Sequence, residues 1–111
     1  MPKFLTIGYG DRAGYDRTAP DVRATAHEHD ARLQAGGVLM GTAGTPTQVR
    51  NPNAAGIETS QGAFMRSDLP IAGFAVVDAE TIDDAVALVA KTPCAVAHGV
   101  VEVWPLEDRA S

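Results

Sequence analysis

Two ionisable side chains in this sequence, His29 and Glu102, have neighbours that would suit proton transfer. His29 falls on one stripe of a predicted helix, which it shares with the apolar residues Val22, Ala26 and Leu33. A histidine on such a stripe is either a core residue satisfied by one hydrogen bond or a general acid or base at the edge of a pocket. The sequence leaves both interpretations open. His27 points to another side of the same helix, and we expect it to face solvent.

Glu102 alternates with Val100 and Trp104 along the last predicted strand, so the three side chains share one face of the sheet. If that face is covered, the carboxyl group of Glu102 lies beside an indole in apolar surroundings. Desolvation there disfavours the ionised carboxylate, which suits the group to proton transfer. If the face is open, Glu102 is an edge-strand residue that meets water. We predict that His29 and Glu102 are the catalytic residues of any enzyme built on this chain.

Four further side chains are candidate ligand contacts. His98 precedes the last strand and would place an imidazole at the mouth of a pocket. Trp104 offers an aromatic surface, although such rings more often serve as core packing. Tyr9 and Asp68 are polar groups available to the same pocket. Cys94 has no neighbouring basic residue to activate it, so we interpret it as a small buried apolar side chain.

The histidines and acids do not have the spacing of a metal site. His27 and His29 are two residues apart, whereas ligand pairs on a helix are spaced three or four apart. The glycine-rich segments 8–10 and 41–44 lack the spacing of a phosphate-binding loop and its following Lys-Ser/Thr. We therefore expect no metal and no cofactor.

The clearest structural signal is a strand followed by a capped helix. Residues 71–77 are almost continuously apolar, which indicates a buried strand. Thr81 and Asp84 form a pattern like a capping box at the start of the helix. Pro93 marks the end of that helix, and a loop is expected to follow it.

The same order, a strand followed by a helix, also occurs earlier in the chain. In chain order the other predicted elements are a strand at 3–9, a helix at 20–35, a strand at 38–40 that extends at most to 43, a hairpin arm made of 54–59 and 62–65, and a strand at 100–106. A polar loop is expected between the first strand and residue 19, and a second loop at 44–53. An arrangement of β-α-β followed by β-α-β is ferredoxin-like. We therefore predict an α+β fold whose antiparallel sheet carries two helices on one face.

The second face of that sheet would lack a helical cover. Phe4, Val100 and Trp104 are large apolar residues that cannot all point toward the helices. A second copy of the chain would cover the exposed apolar surface. We therefore predict a homodimer whose two sheets pack face to face.

Composition limits the classes of partner. The 111 residues fit one domain, spanning 1–111, and a hydrophobic content of 45% supports an aliphatic core. A net charge of −5 disfavours a nucleic-acid partner, which requires a basic surface. No apolar run approaches the ~20 residues of a membrane helix. The lone cysteine excludes an internal disulfide and fits a cytoplasmic location.

Three stretches together resemble the YCII-related domains, in particular the branch of DGPF-domain proteins. They are FLTIGYGD at 4–11, LQAGGVLMG at 33–41, and QGAF at 61–64 with the segments that follow it as far as VEVWP at 101–105. The resemblance covers nearly the whole chain and implies a single YCII-like domain that forms a dimeric α/β barrel. The biochemical role of that family is mostly unassigned, and a few members are linked to chemistry on small ring compounds.

Two classes of function are compatible with this sequence. The first is a small enzyme in which His29 and Glu102 act as acid and base on a small organic molecule, by isomerase, lyase or hydrolase chemistry, in a cavity of the homodimer. The alternative is a non-catalytic module that binds a small ligand or a regulatory partner there. An enzyme requires at least two ionisable side chains that converge on one cavity, which distinguishes the two classes.

Overall fold

The computed structural model describes residues 1–107. Its elements are β1 (Lys3–Tyr9), α1 (Arg12–Arg17), α2 (Pro20–Ala35), β2 (Leu39–Thr42), β3 (Thr47–Arg50), a 3-10 turn (Pro52–Ala54), β4 (Glu58–Gln61), β5 (Ile71–Asp78), α3 (Ile82–Val89), α4 (Pro93–Val96) and β6 (Val100–Leu106). The predicted α+β class is confirmed, and so are the predicted bounds of β1, α2 and β6.

Four strands form the main sheet in the order β2-β5-β1-β6, and every neighbouring pair is antiparallel. The predicted antiparallel sheet is therefore confirmed. β1 is an inner strand, so its residues have partners on both sides: Ile7 lies opposite Phe74 of β5 and opposite Glu102 of β6. Directly opposed side chains project from the same face of a sheet. The register therefore assigns each strand residue to one of two faces.

One face of the sheet packs against the helices. Phe4 of β1 and Val77 of β5 form a buried cluster with Ala85 and Val89 of α3. Val77 is 1% exposed and Ala85 is 0% exposed, so this cluster is the centre of the core. Because alternate residues of a strand point to the same side, Thr6 and Gly8 also face the helices.

The opposite face of the sheet carries large apolar side chains that remain accessible. Phe74 is 44% exposed, Trp104 is 50% exposed and Val100 is 53% exposed. Phe4 does not belong to this set, because it lies on the helical side. The sequence predicts that Phe4, Val100 and Trp104 do not all point toward the helices. Val100 and Trp104 are the two that point away from them.

α3 begins as the sequence predicts and ends earlier. Thr81 Oγ1 accepts a hydrogen bond from the Asp84 N–H at 3.1 Å, which satisfies a free donor of the first turn. The helix ends at Val89. The loop predicted after Pro93 is wrong for residues 93–96, because Pro93 begins the short helix α4. Proline suits a first helical turn, where its missing N–H would have no partner in the helix.

α1 occupies a segment that the sequence predicts as a polar loop. Asp11 Oδ1 accepts a hydrogen bond from the Gly14 N–H at 2.8 Å, and the Thr18 hydroxyl donates to the Gly14 carbonyl at 2.9 Å. A helix of 6 residues is too short to show an apolar stripe, so periodicity does not detect it. The cap at Asp11 is the only local signal.

Within residues 1–107, the helices lack the length and apolar character needed to cross a membrane.

The hairpin arm exists, but its strands differ from the predicted ones. β3 pairs with β4, whereas the sequence predicts strands at 54–59 and 62–65 and a loop at 44–53. Asn53 and Ala54 both have φ of 58° and turn the chain between the strands. Nearly every side chain of β3 and β4 is exposed, so no buried face imposed an alternating apolar pattern on the sequence.

Candidate functional site

A cavity of about 860 Å³ lies between α2 and the helical face of the sheet. Its polar lining includes Thr6, Asp11, Tyr15, His27, Asp30 and Cys94. Ala26 is the only buried residue of α2 in the described helix, and the sheet beneath it offers the small residues Gly8 and Ala75. Small residues under a helix leave a volume that side chains do not fill. The volume lies in the range of small-molecule sites.

His27 and Asp30 are the ionisable residues that α2 presents to this cavity. They are three residues apart, so they lie on the same side of the helix. Partial burial raises the pKa of Asp30 above its ordinary value of 3.8, and the nearby imidazoles of His27 and His29 oppose this rise. The carboxyl group therefore keeps its proton to a higher pH than a free aspartate does. A carboxyl and an imidazole beside one cavity are suited to general acid–base catalysis.

Tyr15 of α1 contacts His27 from the side. Its Oη lies 2.9 Å from His27 Nε2, and the two ring centroids are 5.8 Å apart at an interplanar angle of 60°. The guanidinium carbon of Arg23 lies 4.8 Å from the centroid of the Tyr15 ring, within the range of a cation–π contact. α1 and α2 are therefore joined at the cavity by polar contacts.

Cys94 of α4 lies against the sheet at the base of this cavity. A methyl group at Gly8 would come within 2.9 Å of Cys94 Sγ, so the glycine makes room for the sulfur. Burial raises the pKa of the Cys94 thiol, and the negative charge of Asp30 raises it further. A thiol of this kind is mostly neutral at neutral pH and reacts slowly as a nucleophile.

The sequence predicts that His29 faces the sheet and that His27 faces solvent. His27 is exposed, as predicted, and the expectation for His29 is wrong, because its side chain turns to α3. His27 lines the large cavity, whereas His29 borders a smaller one of about 390 Å³ beside α3. The apolar stripe of α2 was too weak to fix the rotation of the helix, because Ala26 is its one buried member. The three-residue spacing of His27 and Asp30 is the signal that would have identified this pair.

His29 is satisfied by the backbone of α3. Its Nε2 donates to the carbonyl oxygen of Leu88 at 2.6 Å, and the side chain is half-buried. This geometry matches the structural alternative that the sequence left open, a histidine held by one hydrogen bond. Its contact joins α2 to α3.

Tyr9 and Glu102 meet on the face of the sheet that is turned away from the helices. The Tyr9 hydroxyl donates to Glu102 Oε1 at 2.5 Å, and Met65 Sδ lies 2.9 Å from the same oxygen of Tyr9. The hydrogen bond to Glu102 is the largest cause that raises the pKa of Tyr9, followed by burial and by the negative charge of Glu102. These two predicted site residues are therefore brought together, beside Trp104.

The predicted catalytic pair, His29 and Glu102, does not converge within one chain. Glu102 is paired with Ile7 and projects from the helix-free face, whereas His29 bonds to α3 on the other side of the sheet. The alternation of side chains along β6 determines the face from which Glu102 projects. The position of His29 is determined by the packing of α2 beside α3. Within one chain the sheet therefore separates the two groups, and the shared cavity of a homodimer stays a prediction.

The remaining predicted ligand contacts lie apart from the large cavity. His98 is exposed and has φ of 64° in the turn before β6. Asp68 is exposed in the loop before β5. Trp104 projects from the helix-free face opposite Leu5. None of the three is among the residues that line the cavity.

A metal centre was not expected from the sequence. Within residues 1–107, no group of three or more His, Cys, Asp and Glu side chains is arranged to hold a metal ion.

No protein-family model matches the sequence, and no curated protein matches it either.

Proposed function

We propose that this chain binds a small organic molecule in the cavity between α2 and the sheet and transfers a proton on it, with Asp30 and His27 as the acid–base groups. The observation that carries the proposal is one cavity of about 860 Å³ with a carboxyl and an imidazole on the same side of α2. These are the two ionisable side chains on one cavity that an enzyme of this kind requires.

The lining indicates how a ligand would be oriented. Leu33, Met40 and Val89 offer apolar surface for a carbon skeleton. His27 and Asp30 offer hydrogen bonds to a polar group such as a carbonyl or hydroxyl. A few polar groups in a mostly apolar pocket are the usual means by which proteins orient small ligands.

The chemistry that fits best is proton transfer at a carbon next to a carbonyl group, as isomerases and lyases perform. The raised pKa of Asp30 brings its proton exchange closer to neutral pH, which favours general acid–base catalysis. Cys94 would remain a neutral thiol, because burial and Asp30 both raise its pKa. A covalent mechanism through the thiol is therefore disfavoured.

The proposal includes a YCII-related, ferredoxin-like fold and a homodimer. The strand order β2-β5-β1-β6, with helices between β1 and β2 and between β5 and β6, supports the ferredoxin-like arrangement. The accessible Phe74, Val100 and Trp104 support the homodimer, because burial against a second copy would remove them from water. The free thiol of Cys94 is in keeping with a cytoplasmic location.

The proposed proton transfer is tested by following, with NMR, the incorporation of deuterium into small molecules. Small keto acids and lactones are incubated in deuterated buffer with the protein, and deuterium uptake beside the carbonyl is measured. We expect exchange with the wild type, and a loss of about 100-fold or more in Asp30→Asn and in His27→Gln. Glu28→Gln is the matched control, because Glu28 is an exposed acid of α2 that does not line the cavity.

The alternative function, a non-catalytic binding module, predicts a different result. Native mass spectrometry of the protein purified from its own host would show a retained small molecule, but no variant would change any exchange rate. Equal exchange in the wild type and in Asp30→Asn would reject the acid–base role of the cavity.

A further inference from the structure

Tyr15 contacts one of the two ring nitrogens of His27. The phenol oxygen lies 2.9 Å from Nε2, and both residues line the cavity. Arg23, which precedes His27 by one turn of α2, lies 4.8 Å from the centre of the Tyr15 ring. The tyrosine of α1 is therefore fixed by two side chains of α2.

The chemistry of the two groups favours one direction for the hydrogen bond. A neutral imidazole has one N–H and one nitrogen lone pair, and the hydrogen bond made by one nitrogen sets the state of the other. A phenol, with a pKa near 10, is a good donor to a basic ring nitrogen. Donation from Tyr15 to Nε2 leaves the hydrogen of neutral His27 on Nδ1.

We propose that Tyr15 is a positioning residue that holds neutral His27 as the Nδ1–H tautomer. This inference rests on the proposed function of the cavity, in which His27 acts with Asp30. With its Nε2 lone pair engaged by Tyr15, His27 presents Nδ1–H as its one hydrogen-bond donor to a ligand. The complementary task, accepting a proton from the ligand, then belongs to the Asp30 carboxylate.

In this arrangement α1 does more than connect β1 to α2. α1 is a single short helix capped by Asp11, and its Tyr15 reaches the cavity. A tyrosine on a separate element can fix the ring of His27 without occupying the cavity itself. Supporting partners of this kind orient the groups that touch a ligand.

Long-range proton–nitrogen NMR on the full-length, nitrogen-labelled chain tests the tautomer directly. Spectra are recorded at about pH 9, well above the ordinary histidine pKa of about 6.5. We expect His27 Nδ1 to show the shift of a protonated nitrogen and Nε2 that of an unprotonated one. A wild-type spectrum in which Nε2 carries the hydrogen of His27 overturns the proposal, and this measurement needs no variant.

Tyr15→Phe provides the second measurement, because it keeps the aromatic ring beside Arg23 and removes only the hydroxyl. We expect the hydrogen of His27 to move toward Nε2, while the shifts of His29 and His98 stay as in the wild type. A His27 tautomer that does not respond to Tyr15→Phe overturns the inference. Circular dichroism confirms that the variant is folded before the comparison is made.

The NMR result and the exchange assay separate this inference from the proposed function. The tautomer is measured without a ligand, so it stands or falls whether or not the wild type catalyses exchange. Where exchange occurs, Tyr15→Phe is expected to lower its kcat by about tenfold with little change in KM. An unchanged kcat beside a changed tautomer overturns the positioning role.

Discussion

Tyr9 and Glu102 are joined across β1 and β6 although they are not opposite each other in the sheet. Tyr9 opposes Val100, and Glu102 opposes Ile7, yet the Tyr9 hydroxyl reaches diagonally to Glu102 Oε1 at 2.5 Å. Diagonal neighbours on one face of a sheet lie within reach of long side chains. A carboxylate on a largely apolar face is thereby anchored by the hydroxyl of a residue that is 5% exposed.

The Tyr9–Glu102 contact predicts a specific phenol titration. Glu102 raises the pKa of Tyr9 through the hydrogen bond and through its charge, and burial contributes as well. Glu102→Gln removes the charge, so the pKa of Tyr9 should fall toward its ordinary value of 10.0. Near-ultraviolet absorbance against pH measures this, with Tyr9→Phe subtracted to isolate the Tyr9 signal. An unchanged midpoint in Glu102→Gln would show that the contact is absent in solution.

The accessible sheet face predicts that a charge placed at its centre will separate the two copies of the proposed homodimer. Phe74 opposes Ile7 on this face and is 44% exposed. Phe74→Arg is expected to change the mass measured by light scattering from two chains to one, because burial of an unpaired cation is costly. Phe64→Arg, at a residue 78% exposed beyond the hairpin arm, is the control that should stay dimeric. A monomer mass for the wild type at micromolar concentration would end the dimer proposal.

The reactivity of Cys94 is expected to depend on Asp30. Burial raises the pKa of the Cys94 thiol first, and the charge of Asp30 adds to the rise. Asp30→Asn removes that charge, so the pKa should fall and the thiolate should form at lower pH. The rate of reaction with a disulfide reagent, measured against pH, should shift to lower pH in Asp30→Asn and not in Glu28→Gln. Coincident profiles for all three proteins would mean that Asp30 does not act on the thiol.

The raised pKa of Asp30 predicts a pH-dependent cost to stability. Above the raised pKa, both folded and unfolded chains are ionised, and the folded chain carries the cost of a partly buried charge. As pH falls through the raised pKa toward the ordinary 3.8, the folded chain takes up the proton first and the cost disappears.

Asp30→Asn lacks this charge, so it should be more stable than the wild type at neutral pH, and the difference should shrink on acidification through that window. Urea unfolding of both proteins at a series of pH values measures the difference. A difference that stays constant across the series would contradict the assigned shift of Asp30.

Gly99 is predicted to resist substitution because two backbone carbonyls surround it. A methyl group there would lie 2.1 Å from the Tyr9 carbonyl oxygen and 2.6 Å from that of Cys94. Backbone atoms of a packed strand and helix cannot move aside cheaply, so Gly99→Ala should lower the free energy of unfolding by about 2 to 3 kcal/mol. Gly44→Ala, at a site with no atom within 4 Å, should change it by no more than about 0.5 kcal/mol. Equal effects of the two substitutions in urea unfolding would refute this account.

The local elements of this protein are determined largely by the sequence itself. The cap formed by Thr81 and Asp84 fixes the start of α3, and the apolar run at 71–77 indicates β5, because both signals act between near neighbours. The alternation of Val100, Glu102 and Trp104 likewise determines that these residues share a face. The bounds of β3 and β4 could not be predicted, because their exposed side chains show no apolar pattern.

The tertiary structure alone decided which groups meet. Spacing shows that Glu102 shares a face with Trp104, but only the packing of helices on the other face separates Glu102 from His29. Spacing also places His27 and Asp30 on one side of α2, but only the orientation of α2 in the folded chain directs this side toward a cavity. The rotation of a helix that buries little more than Ala26 depends on contacts from distant segments, such as Leu88 with His29 and Tyr15 with His27. Those contacts join residues far apart in the chain or on separate helices, so local periodicity contains no record of them.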